Sequence, residues 1–148
     1  MVGREEVVLK GVDPFIDERG AIYNYELPEA VNWIGLINSK GKGIIRANHY
    51  HPEQTQKVLV MSGSFVSVYQ DLQDPQSPVK HHLIQKGDLV ITPPNIVHAM
   101  VFREDTTFLN LVTGERKHEN FGKHTIPQVI VKPEEVEHYL KQYENNSQ

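Results

Sequence analysis

The sequence predicts an all-β sandwich or barrel with one short C-terminal helix, and three observations carry that expectation. Short β-prone runs recur along most of the 148 residues, with turn residues between them at close spacing. Only the segment 133–143 has the period of an amphipathic helix. Two stretches, 43–63 and 87–98, combine turn glycines with histidines set in apolar, strand-like sequence.

Residues 7–12 read as a first strand, and residues 15–20 as a turn built on Asp17 and Gly20. Residues 21–27 alternate well enough for a strand that Pro28 stops, and residues 33–38 form the next, ended by the polar connection 39–43. Strands at 44–50 and 57–61 flank Pro52, and Ser62-Gly63 closes the second. Residues 65–70 make a clear strand, and the polar loop 71–78 leads to a strand at 79–85 carrying His81 and His82. Lys86-Gly87-Asp88 is a tight turn before a strand at 89–92. Pro93-Pro94-Asn95 then breaks the ladder, because neither proline can donate to it. Strands at 97–102 and 107–113 are expected to pair across residues 103–106. Residues 114–125, charged and aperiodic, read as a loop over one end of the sheet, and 127–131 as a last strand. The helix over 133–143 starts on proline, has acids in its first turn and places Val136, Tyr139, Leu140 and Tyr143 on one face. It is expected to cover a barrel end or a partner subunit. Trp33 and Phe65 read as core aromatic residues.

Composition narrows the function classes. The length suits a single domain over residues 1–148 with a sizeable core. A net charge of −4 without a basic stripe argues against nucleic acid as a partner. The absence of cysteine excludes disulfides and thiolate metal sites. The first residues lack an apolar signal core, and no run approaches the roughly 20 apolar residues of a membrane span. The chain reads as a soluble, cytoplasmic protein.

The chemistry centres on histidine. In a strand, His49 and His51 point the same way, which makes them half a metal site, or a base and its helper. The turn at Gly87, the strand after it and the proline break would bring His98 back toward that pair. Arg46 stands three residues before His49, so strand parity puts it on the opposite face unless the strand bends. Arg19 can pair with Asp17 across its turn. His81, His82, His118, His124 and His138 read as solvated.

At this point the chain resembles the cupin superfamily. The pattern G-x5-H-x-H-x4-E-x6-G is matched at Gly43, His49, His51 and Gly63, with Gln56 in place of the glutamate. The pattern G-x5-P-x-G-x2-H is matched at Gly87, Pro93 and His98, with Asn95 at the glycine, a residue that tolerates positive φ. The resemblance implies a double-stranded β-helix, a small jelly-roll barrel with a pocket inside. It also implies one divalent metal ion (zinc, iron, nickel, copper or manganese) at His49, His51, Gln56 and His98. Gln56 brings no charge, so a metal here would favour an anionic ligand.

A narrower resemblance involves Asp17-x-Arg19-Gly20, Arg46-x2-His49-Tyr50 and Gln54-x-Gln56. These are similar to the dTDP-4-keto-6-deoxysugar epimerases and ketoisomerases. The stretch R-x-N-H-Y-H is also similar to the metal-binding cupin domain of capsular-polysaccharide sugar-nucleotide enzymes. This implies Arg19 and Arg46 as pyrophosphate clamps, Gln54 as a substrate contact, and His49 and His51 as catalytic base and partner. Metal at His49 would move the base to an outer group such as His81, a loop histidine or a metal-bound water. The proton donor would then be His118 or His124, because Tyr139 and Tyr143, the only tyrosines after His98, lie in the helix. The activity implied is epimerisation or isomerisation of a keto-sugar nucleotide by a homodimer. A metal-dependent oxygenase and a non-catalytic module binding a small anionic ligand are the rivals.

Overall fold

The computed structural model describes residues 3–114 and 124–145, and twelve short strands and one terminal helix account for most of them. One five-stranded sheet is built, in spatial order, from β1 (Val7–Leu9), β9 (Leu89–Thr92), β6 (Gln56–Ser62), β11 (Thr106–Val112) and β4 (Trp33–Ser39). The facing sheet runs β12 (Ile126–Pro127), β5 (Ile45–Tyr50), β10 (Ile96–Phe102), β7 (Ser64–Asp71) and β8 (Lys80–Gln85). All pairings are antiparallel, and the chain passes repeatedly from one sheet to the other. This is the expected jelly roll.

Strand β10 shows why the roll holds. All seven of its residues are buried, although an antiparallel sheet can leave one face wet. Its inward side chains, Met100 and Phe102, pack with Phe65, Phe108, Val58 and Val60 between the sheets. Its outward ones, Ala99 and Val101, pack with Val66 and Val68 beneath Val131, Tyr139 and Leu140. The terminal helix, a 3-10 turn Pro133–Glu135 running into α1 (Val136–Lys141), therefore covers the outer face of its own second sheet. It does not cap a barrel end. Its apolar stripe is the one the sequence expects.

Several other expectations change. The strands at 96–102 and 106–112 do not pair with each other: residues 103–105 carry the chain across the barrel, and β10 pairs with β5 and β7 while β11 pairs with β4 and β6. The segment 15–20 is mostly strand, because β2 (Val12–Asp17) and β3 (Gly20–Asn24) form a separate two-stranded ribbon. The last strand shrinks to β12, since Gln128, Ile130 and Val131 spend their N–H groups on Asn48 instead. Phe65 is core at 2% exposure, but Trp33 lies on edge strand β4 and is 43% exposed. Lys57, on the outer face of β6, is fully buried and donates to Glu29 at 2.6 Å, pinning the segment before β4. No helix among the described residues is long and apolar enough to cross a membrane.

Candidate active site

The site begins with a bend in β5. Ala47 and Asn48 both adopt left-handed backbone, with φ of 72° and 53°, although neither is glycine. The ladder registers this as a bulge: His98 faces His49, Ala99 faces Ala47 and Met100 faces Arg46, so Asn48 is the extra residue. Two such residues in succession are costly, about 1–3 kcal/mol each. The Asn48 side chain offsets this by accepting from the N–H of Ile130 and Val131 and donating to the Val131 carbonyl, each at 3.0 Å. The bulge reverses strand parity between Arg46 and His49. Both now line one cavity, and Arg46 is held there by Ser39 Oγ at 3.2 Å.

That cavity, about 270 Å³ between the sheets, is bordered by Arg46, His49, His51, Gln56, Met100 and Asn110. His98 borders a smaller void beside it, and the donor nitrogens of His49, His51 and His98 lie within 4.8 Å of one another. The tautomers follow from the partners. His98 Nδ1 lies 3.0 Å from the Ile96 carbonyl and His51 Nδ1 3.0 Å from the His124 carbonyl. A carbonyl can only accept, so each Nδ1 carries the proton and each Nε2 is left as a lone pair. The Nε2 atoms of His49 and His98 are buried without a partner. Gln56 reaches the same point, its side-chain amide 3.3 Å from His51 Nε2. The donor set fits a divalent metal of the zinc, iron or nickel type.

Burial first, and then the neighbouring imidazoles, push His49 down to about 2, and burial with His98 pushes His51 down to about 4. Burial likewise pushes His98 down, against the opposing field of Glu6. All three imidazoles are therefore neutral at neutral pH. A stability consequence follows. Below the ordinary histidine value of 6.5, the unfolded chain takes up protons that folded His49 and His51 refuse. Stability is expected to fall as pH drops from 6.5 toward their folded values, by up to about 1.4 kcal/mol per pH unit for each histidine. Urea midpoints measured for the metal-free protein between about pH 7 and pH 5 check this. A flat profile would mean that the imidazoles are not desolvated.

The other candidates divide. Gln54 borders a small annex of the cavity with Thr55, His124 and Thr125. His124 is thus a wall of the site and not a solvated surface histidine, while His118 lies outside the described residues. Arg19 does not border the cavity; it is 79% exposed at the tip of the β2–β3 ribbon, paired with Asp17 at 2.6 Å. His81 bonds the Tyr143 hydroxyl at 2.7 Å, outside the barrel. His82, 29% exposed, donates to Glu6 at 2.9 Å. Among the described residues no tyrosine borders the cavity.

Sequence reasoning missed Glu6 and Asn110. Glu6 is 6% exposed and accepts from Ser67 at 2.6 Å and Thr92 at 2.5 Å as well as from His82. It shares a small void with His98. The available signal was its parity with Val8, which packs on the core. Asn110 interrupts the inward apolar positions of β11, and no pattern flagged it.

No protein-family model matches the chain, and no curated protein matches it in sequence. Solved structures do. A 3,4-ketoisomerase from Helicobacter canadensis matches with TM-score 0.70 at 18% identity, over 95% of this chain and 98% of its own. A 3,4-ketoisomerase from Thermoanaerobacterium thermosaccharolyticum, a mutant in complex with TDP-4-keto-6-deoxyglucose, gives 0.68 at 15% identity, over 93% and 96%. A dTDP-4-dehydrorhamnose 3,5-epimerase from Sulfolobus tokodaii gives 0.63 at 19%, over 81% and 74%. The likeness establishes the fold, the cupin jelly roll.

Proposed function

We propose that this protein is an isomerase or epimerase of a keto-sugar nucleotide. The observation that carries the reading is the convergence of Arg46, His49 and His51 on one cavity, with a His98 ring nitrogen within 4.8 Å of theirs. A guanidinium beside neutral imidazoles suits an anionic substrate whose reacting carbon carries an acidic proton beside a carbonyl. The fold is that of enzymes acting on such sugars, one of them in complex with TDP-4-keto-6-deoxyglucose.

Arg46 holds the pyrophosphate, and Gln54 contacts the substrate from the annex. Arg19, on its exposed ribbon, serves a site only where the ribbon reaches another subunit. A neutral imidazole Nε2, of His49 with His51 beside it, takes the proton from the carbon next to the carbonyl. The C–H electron pair moves into an enediolate, which regains a proton at the neighbouring carbon in isomerisation or on the opposite face in epimerisation. The substrate's negative charge stabilises the imidazolium and so raises the basicity of a desolvated histidine. A divalent zinc, iron, nickel or manganese ion at His49, His51 and His98, beside Gln56, would supply a Lewis acid for the carbonyl oxygen. With His49 so engaged, His124 is the histidine left at the cavity wall to move the proton.

The missing tyrosine acid favours a second reading, a non-catalytic module that binds a small anionic ligand. One experiment separates the readings: incubation with TDP-4-keto-6-deoxyglucose in deuterium oxide, followed by mass spectrometry and an oxygen electrode. Deuterium entering the sugar without oxygen uptake supports the isomerase. Oxygen uptake points to an oxygenase, and a raised melting temperature with neither points to the binding module.

A homodimer is part of the proposal. Ile16, Ile22, Ile34 and Leu36 are 68%, 57%, 65% and 64% exposed on the ribbon and on edge strand β4. Isolated two-stranded ribbons are marginal in water, and a second copy offers both a matching ribbon and an open edge. Ile22→Asp with Leu36→Asp is expected to give a species near the single-chain mass of 16.9 kDa by light scattering. A wild type already at that mass would dispose of the dimer.

A further inference from the structure

Among the described residues, four buried polar side-chain atoms have no hydrogen-bond partner: His49 Nε2, His98 Nε2, Asn110 Oδ1 and Asp74 Oδ2. The two imidazoles belong to the site described above. Asn110 borders the same cavity, yet nothing in proton transfer or metal holding calls for it. It sits in β11 facing Val58 on one side and Gly35 on the other, and is 8% exposed. Its strand neighbour on the same face, Phe108, is core, so the position is one where leucine would pack without leaving a polar atom stranded. Burying an unpaired amide oxygen is unfavourable, and such an atom in a native interior calls for an explanation. Gly35 directly across the ladder has no side chain, which leaves the amide no protein partner from that strand.

An amide oxygen can only accept, so the group that satisfies it must donate. The cavity's other walls supply imidazole lone pairs and a guanidinium, which suit a carbonyl, an acidic C–H and a phosphate. A hydroxyl is the donor a hexose brings. We propose that Asn110 Oδ1 accepts a hydrogen bond from a ring hydroxyl of the bound sugar, making Asn110 the residue that separates a hydroxylated hexose from its deoxy counterpart. This rests on the keto-sugar reading and adds a discriminating contact to it. Sites built to pair a substrate hydroxyl reject the analogue lacking it far more strongly than apolar pockets discriminate by size.

The test titrates wild type and Asn110→Leu with TDP and with TDP-4-keto-6-deoxyglucose by calorimetry, and compares their ligand-free melting temperatures. Asn110→Leu is expected to melt no lower than wild type, because it removes a stranded acceptor. It should bind TDP within about twofold of wild type and the keto-sugar nucleotide roughly ten- to a hundredfold more weakly. Equal affinity of the two proteins for the keto-sugar nucleotide overturns the role of Asn110 and leaves the keto-sugar reading standing. Equal loss for both ligands, together with a lower melting temperature, assigns Asn110 a structural role and also overturns it. A wild type that binds the keto-sugar nucleotide no better than TDP overturns the keto-sugar reading itself and this inference with it. If Asn110→Leu does not fold, Asn110→Ala gives the same comparison of affinities.

Discussion

His49→Ala is expected to lower the rate of deuterium incorporation by about a thousandfold, within the range a positioned acid or base contributes. The loss should come in turnover and leave TDP affinity intact, because Arg46 remains in place. It should not come from unfolding. His49 Nε2 is buried without a partner, so removing the imidazole takes away a desolvated group and not a bond. The variant's stability should also depend less on acid than the wild type's. Metal content, measured by elemental analysis of the same preparations, tells what His49 does. Turnover and metal lost together make it a ligand, whereas turnover lost with metal retained makes it the base. A variant within tenfold of wild-type rate would mean that the chemistry happens elsewhere.

Glu6→Ala carries the largest expected cost to stability, about 3–5 kcal/mol, the range for removing one member of a buried charged network. Three donors, from Ser67, Thr92 and His82, would lose their acceptor inside the barrel. The melting temperature should drop by roughly 10 °C at this chain length. Burial pushes the Glu6 carboxyl up, but the bonds from His82, Ser67 and Thr92 together bring it below its ordinary 4.5. A carboxylate lowered in this way stabilises the fold above that value and stops doing so as pH falls beneath it. Glu6→Gln, which keeps the volume, should therefore lose less and show a shallower acid transition. Denaturant unfolding of both variants at neutral pH is the check, and a loss under about 1 kcal/mol for the alanine variant would show that water replaces the carboxylate.

What the sequence made legible was the part written in residue types with few alternatives. Gly43, Gly63 and Gly87 have φ of 88°, 87° and 89°, and Asn95, standing in for a glycine, has 60°. Those turns hold the strands that carry His49 and His98, with His51 just past the end of β5, and the three imidazoles meet. The rest depends on features that residue type does not announce. The bulge in β5 falls on Ala47 and Asn48, and an alanine gives no warning of left-handed backbone. Without that bulge, parity sends Arg46 outward. Trp33 looked like core because an apolar ring usually is; only the sheet order shows that its strand ends the sheet. The strands at 96–102 and 106–112 looked like a hairpin because adjacent strands usually are, and a three-residue crossing between sheets has no local signature.

Asn48 ties β5 to the end of the chain beyond what the short pairing with β12 supplies. The residue that turns the guanidinium inward is held in its unusual backbone by the segment just before the terminal helix. Ile130 and Val131 do not line the cavity, yet they work as the peg against which the strand bearing His49 is bent. A chain deprived of it would keep every reactive side chain and lose their aim.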